Sequence, residues 1–85
     1  MGWKWGFTEK SKEQFGQLDN QVRKRILQKL EFWIGSGKPL NFAETLTNYE
    51  LGSYRFRVGD YRLVFDIEGE TIVVLAVKHR RDIYK

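Results

Sequence analysis

The chain has 85 residues, 41% of them hydrophobic and 15% aromatic, and no cysteine. It reads as one small domain over residues 1–85, and it excludes a disordered chain, a disulfide scaffold and a thiolate metal site. Net charge is +4, and outside the acidic cluster Asp66, Glu68 and Glu70 fifteen basic residues face eight acidic ones, the excess a polyanionic partner would meet. The longest apolar run, Ile72 to Val77, is too short to cross a membrane. The opening MGWKWGF has no secretory apolar region, and Gly6 stands where a myristoylation signal needs Ser or Thr. The expected location is the cytoplasm.

Trp3 to Phe7 alternates and predicts a short strand with aromatics on one face. Thr8 caps a helix running to about Leu18, with Glu9 favourable at its start and Phe15 and Leu18 on its apolar stripe. Asp19 or Asn20 caps a second helix. Val22, Ile26, Leu30 and Trp33 recur along it at helical spacing, with Leu27 and Ile34 beside them. Gly35 to Pro39 ends it. So short a connection folds the two helices into a hairpin. Residues 40–53 read mostly as loop, with a possible helical turn near Asn41–Leu46. Tyr54–Val58 and Tyr61–Ile67 alternate as strands, and Thr71–Val77 reads as a buried strand. Gly59-Asp60 and Glu68-Gly69 are two-residue turn candidates. The fold class is α+β: an antiparallel sheet, made of one N-terminal strand and a three-stranded C-terminal meander, packed on a two-helix hairpin.

A two-residue turn at Gly59-Asp60 pairs Val58 with Tyr61, Arg57 with Arg62, Phe56 with Leu63 and Arg55 with Val64. Opposed residues share a face. Tyr54, Phe56, Val58, Tyr61, Leu63 and Phe65 then face the helices, and Arg55, Arg57 and Arg62 face away. Opposed arginines repel, and an anion held between them reverses that effect. The competing reading is a solvated face with salt bridges to Asp66 or Glu44. A turn at Glu68-Gly69 would pair Arg62 with Leu75 and bring His79 to the arginine face; a one-residue slip would send it to the other.

The chain closes on VKHRRDIYK. His79 is the only histidine, and imidazole alone has an unperturbed pKa near neutrality. With Lys78, Arg80, Arg81 and Tyr84 it supplies a titratable group, cations and a stacking aromatic. Cleavage of an RNA phosphodiester uses such parts: activation of the 2′-OH, stabilisation of the charged phosphorane, protonation of the 5′-oxygen and a platform for a base. Trp3, Trp5, Phe7 and Trp33 sit at strand or helix periodicity and read as core. No Gly-rich phosphate loop, Cys/His metal spacing or Ser-based triad pattern is present, so no cofactor is expected.

Nearly the whole chain resembles the RelE/ParE superfamily of toxins from toxin–antitoxin modules. The resemblance rests on QVRKRILQKLE and, most specifically, on LGSYRFRVGDYRLVFDIEGETIVVLAVKHRRDIY. It implies a small antiparallel sheet carrying a helical hairpin, and a metal-independent endoribonuclease that cleaves mRNA in the ribosomal A site. It implies a RelB-like antitoxin, the ribosome and mRNA as partners. Arg55 and Arg57 stand where RelE-type toxins carry paired basic residues, Arg62 matches the phosphate-stabilising arginine, Arg80 a C-terminal basic residue, and Tyr84 the tyrosine that stacks on a base or assists activation. Lys78 and Arg81 extend the basic set. Arginine is a poor general base, so the expected catalytic set is Arg62, His79, Arg80 and Tyr84, with Arg55, Arg57, Lys78 and Arg81 binding RNA. The alternatives are a ParE-like gyrase inhibitor and a non-catalytic antitoxin-binding homologue.

Overall fold

Thr8 separates the first strand from the first helix. In the computed structural model, which describes residues 2–47 and 52–83, β1 spans Lys4–Phe7 and α1 spans Glu9–Gly16. The Thr8 hydroxyl accepts from the Ser11 amide, an N-cap that satisfies an otherwise unpaired donor. α1 ends two residues before the expected Leu18. The Asp19 carboxylate accepts from the Gln21 amide and caps α2, Asn20–Gly35, whose face Ile26, Leu30 and Trp33 is buried. Pro39–Phe42 forms a 3₁₀ turn, and two residues of the expected loop, Glu44–Thr45, form β2. Then follow β3 (Tyr54–Val58), β4 (Tyr61–Glu68) and β5 (Thr71–His79), and a short helix α3 at Arg80–Ile83.

The five strands form one sheet in the order β1-β5-β4-β3-β2. All neighbours are antiparallel except β1 and β5, which run parallel. The N-terminal strand thus makes the sheet mixed. Its chain returns to β5 only after crossing the helical layer, the kind of connection a parallel pair requires.

One sheet face carries the helices. Phe56, Val58, Leu63, Phe65, Ile72, Val74 and Val77 are buried there with Ile26, Leu30 and Trp33. Trp33 stacks on Phe56 at 4.2 Å, and Phe56 on Phe65 at 4.4 Å, so aromatic rings join helix to sheet. Trp3, Trp5 and Phe7 pack on the edge of this core. Two polar side chains of α1 stitch it to β5. The buried Ser11 hydroxyl donates to the Val74 carbonyl at 2.6 Å, and the Gln14 side-chain oxygen accepts from the Val77 amide at 2.9 Å. The other face is partly covered: Val64 and Ala76 are buried beneath Leu46.

The first hairpin has the expected turn, Gly59-Asp60, and every expected partner. The second departs from expectation. Its turn is Gly69-Glu70, pairing Glu68 with Thr71, and a bulge opposite the Val64/Phe65 step advances β5 by one residue. Arg62 therefore lies opposite Lys78, not Leu75. His79 lies opposite Tyr61, on the helix-bearing face. Its expected place on the arginine face is corrected: an extra residue in one strand reverses every side chain beyond it.

Candidate functional site

The two registers place Arg57, Arg62 and Lys78 in a single row across β3, β4 and β5. Directly opposed Cβ atoms lie about 4.5–5.5 Å apart. Three cations thus stand side by side on the face away from the helices, beside the apolar cover over Val64 and Ala76. Neither Arg57 nor Lys78 forms an ion pair among the described residues. Like charges so placed repel one another and create a positive field above the face.

Arg62, at the centre, is only 4% exposed. Its Nη1 donates to the carbonyls of Gly59 at 2.9 Å and Tyr61 at 3.0 Å. These bonds hold the guanidinium toward the β3–β4 turn. Its Nε is buried and has no hydrogen-bond partner among the described residues. A buried donor left unpaired costs about 1–3 kcal/mol, which an anionic acceptor offsets.

Arg55 shares the face but is held differently. Its Nη2 contacts the Glu44 carboxylate at 3.1 Å, directly across from β2. The anticipated competitor Glu44 thus takes this arginine. Asp66, the other one, accepts from the Ser53 amide at 2.7 Å and secures the start of β3.

The C-terminal candidates divide between surfaces. His79 packs edge-to-face on Tyr61, with ring centroids 5.3 Å apart. Its Nδ1 accepts from the Arg81 amide at 3.3 Å and faces the Arg81 Nε at 3.4 Å. A neutral His79 so bonded carries its proton on Nε2. Arg80 is exposed at the β3–β4 turn, where its amide donates to the Asp60 carbonyl and its Nε lies 3.6 Å from the Asp60 carboxylate. Exposed pairs of this kind contribute about 0–1 kcal/mol. Tyr84 lies outside the described residues. The structure thus brings together Arg57, Arg62 and Lys78, sets Arg55 beside Glu44, and leaves His79 on the opposite face. The sequence reading had Lys78 among the RNA-binding cations but missed its place beside Arg62, because only the bulge creates it. Among the described residues no cluster of three His, Cys, Asp or Glu side chains could hold a metal ion.

A model of the family described as ParE toxin of type II toxin–antitoxin systems, parDE, matches residues 6–84. Toxin RelG of Mycobacterium tuberculosis is 32% identical over 83 residues, covering 93% of this chain and 92% of that protein. In the crystal structure of the toxin–antitoxin complex RelBE2, also from M. tuberculosis, one chain superposes with a TM-score of 0.72 at 27% identity, covering 94% of this chain and 93% of that one. A chain of the RelB–RelE antitoxin–toxin complex from Methanococcus jannaschii gives a TM-score of 0.71 at 28% identity, with 92% and 93% covered.

Proposed function

This chain belongs to the ParE toxin family of type II toxin–antitoxin systems, and from that premise we propose that it is a ribosome-dependent endoribonuclease that cleaves mRNA in the A site. The observation that carries this reading is the row Arg57–Arg62–Lys78, with an Arg62 Nε at its centre that is buried and has no partner among the described residues. A phosphodiester seated on the row would receive charge-assisted hydrogen bonds from Arg57, and from Arg62 once the side chains covering its guanidinium move aside. These strengthen as the 2′-oxygen attacks phosphorus and negative charge grows on the phosphorane. Lys78 is the member of the row able to give up a proton, and as an ammonium it can donate to the departing 5′-oxygen. Removal of the 2′-OH proton then falls to a group outside the row, either Tyr84 or one supplied by the ribosome.

The partner in this reading is a RelB-like antitoxin, as the complexes of the two structural relatives suggest. The test is single-turnover cleavage of ribosome-bound mRNA. Arg62→Ala should reduce the rate about 10²–10³-fold, the usual loss on removing one preorganised donor, while the protein stays folded. A folded Arg62→Ala variant cleaving at the wild-type rate would remove the assignment. Inhibition of DNA gyrase supercoiling by the wild-type protein, without mRNA cleavage, would establish the ParE-like alternative instead.

A further inference from the structure

Two parts of the chain grip the backbone of Gly59, Asp60 and Tyr61. From β4, the Arg62 Nη1 donates to the Gly59 and Tyr61 carbonyls at 2.9 and 3.0 Å. From the junction of β5 and α3, the Arg80 amide donates to the Asp60 carbonyl at 2.6 Å, and the His79 ring packs on the Tyr61 ring. All three carbonyls of the segment are thereby taken, two by the side chain of Arg62 and one by the backbone of Arg80. Gly59 holds φ at 58°, a conformation that favours glycine, so the shape of the turn is set as well.

The bonds from Arg62 use one edge of its guanidinium. The group is a rigid planar fork, and Nε and Nη2 share the other edge, a pair of parallel N–H groups of the kind that meets two oxygens of a phosphate. That edge makes no hydrogen bond among the described residues. With Nη1 fixed on the turn, the direction of the Nε–Nη2 edge follows the turn carbonyls. Arg80 touches this turn in two unequal ways. Its side chain is 61% exposed, with Nε 3.6 Å from the Asp60 carboxylate, where water screens the pair. Its amide is the first of α3, a donor for which a helix has no internal partner, and the Asp60 carbonyl satisfies it.

We infer that the Gly59–Tyr61 segment aims Arg62, and that Arg80 is a positioning residue that acts through its backbone amide, which fastens the turn, rather than through its charge. The inference rests on the cleavage reading above and deepens it. The C-terminal helix then acts on the scissile phosphate at one remove, through the Asp60 carbonyl, the turn and Arg62.

The experiment separates the amide of Arg80 from its charge. Arg80→Pro removes both, and proline suits the first position of a helix, as the extended His79 suits the position before a proline. Arg80→Gln removes the charge and keeps the amide. An ester in place of the His79–Arg80 peptide bond removes the amide hydrogen alone, and tests the same bond should the proline variant fail to fold. In single-turnover cleavage of ribosome-bound mRNA, the maximal rate of Arg80→Pro should fall at least about tenfold below that of Arg80→Gln, and the ester as far below wild type, as misplacing a catalytic group does. The half-saturating concentration of the ribosome complex should not change. Both losses should vanish in an Arg62→Ala background, because the amide acts through Arg62. Exchange of the Arg62 Nε proton with water, followed by NMR on the free protein, should be faster in Arg80→Pro than in Arg80→Gln. Equal rates and equal exchange in those two variants would overturn the inference. So would losses of undiminished size in the Arg62→Ala background, or an Arg80→Gln as slow as Arg80→Pro, which would return the role to the charge. A wild-type chain that cleaves no ribosome-bound mRNA would remove the cleavage reading, and the proton exchange would still decide whether the Arg80 amide holds Arg62.

Discussion

Arg57, Arg62 and Lys78 carry the same charge but differ in what each can do with a proton. A guanidinium keeps its proton in proteins, whereas an ammonium can release one. Lys78→Arg should therefore preserve charge and RNA binding but slow cleavage, and Lys78→Ala should do both kinds of damage, within the 10²–10⁴-fold range of general acid–base loss. His79 is on the far face against Tyr61. His79→Ala should change the single-turnover rate by less than about threefold and leave its pH profile intact. A collapsed rate in His79→Ala, with Lys78→Arg fully active, would return the proton-transfer role to the imidazole. The opposition of Arg57 and Arg62 is legible in the sequence, because strict alternation and a glycine turn define that register. The place of Lys78 is not. It depends on a bulge within Ile72–Val77, a run in which apolar residues occupy both faces and no alternation marks the slip.

The elements with clear caps and periodicity match their sequence signals: Thr8 and Asp19 cap the helices, and Ile26, Leu30 and Trp33 form the buried face of α2. Elements made by long-range contact leave weaker traces. β2 has two residues, too few to alternate, and the parallel pairing of β1 depends on where the helices deliver the chain. Ser11 and Gln14 look like solvent-facing helix residues, yet each bonds a β5 backbone group 63 positions away. Gly52 is a similar case. A Cβ there would lie 2.8 Å from Val64 Cγ1 and 3.1 Å from Leu75 Cδ1, in the packing around the bulge. Gly52→Ala should cost about 1–3 kcal/mol through overpacking, lowering Tm by several degrees. Gly35, at the end of α2, has nothing within 4 Å of such a Cβ. Gly35→Ala should hold or raise Tm. Equal melting temperatures for the two variants would show that the bulge region yields more easily than its geometry indicates.

Over the whole molecule, of extents 34 × 31 × 22 Å, the charges separate along the sheet. The Gly69-Glu70 end carries Asp66, Glu68 and Glu70, while the Gly59-Asp60 end carries Arg57, Arg62, Lys78 and, on α3, Arg80 and Arg81. Arg25 of α2 also reaches this end, its Nη1 lying 3.3 Å from where a Gly59 Cβ would stand. β4, eight residues long, keeps the two ends roughly 25 Å apart. Such a separation orients the basic end toward a polyanion during approach. If the row contacts phosphates, binding to single-stranded RNA should weaken with salt. The logarithmic slope should be about −0.7 per phosphate neutralised, or about −2 for three contacts. Arg57→Gln should make that slope shallower by about 0.7, since Arg57 forms no ion pair among the described residues. Arg80→Gln should change it less, because Arg80 already lies against Asp60. Fluorescence anisotropy of a short labelled RNA, titrated at several salt concentrations without ribosomes, measures both slopes. A slope near zero, or one that Arg57→Gln leaves unchanged while Arg80→Gln flattens it, would move the phosphate contacts from the row to the C-terminal helix.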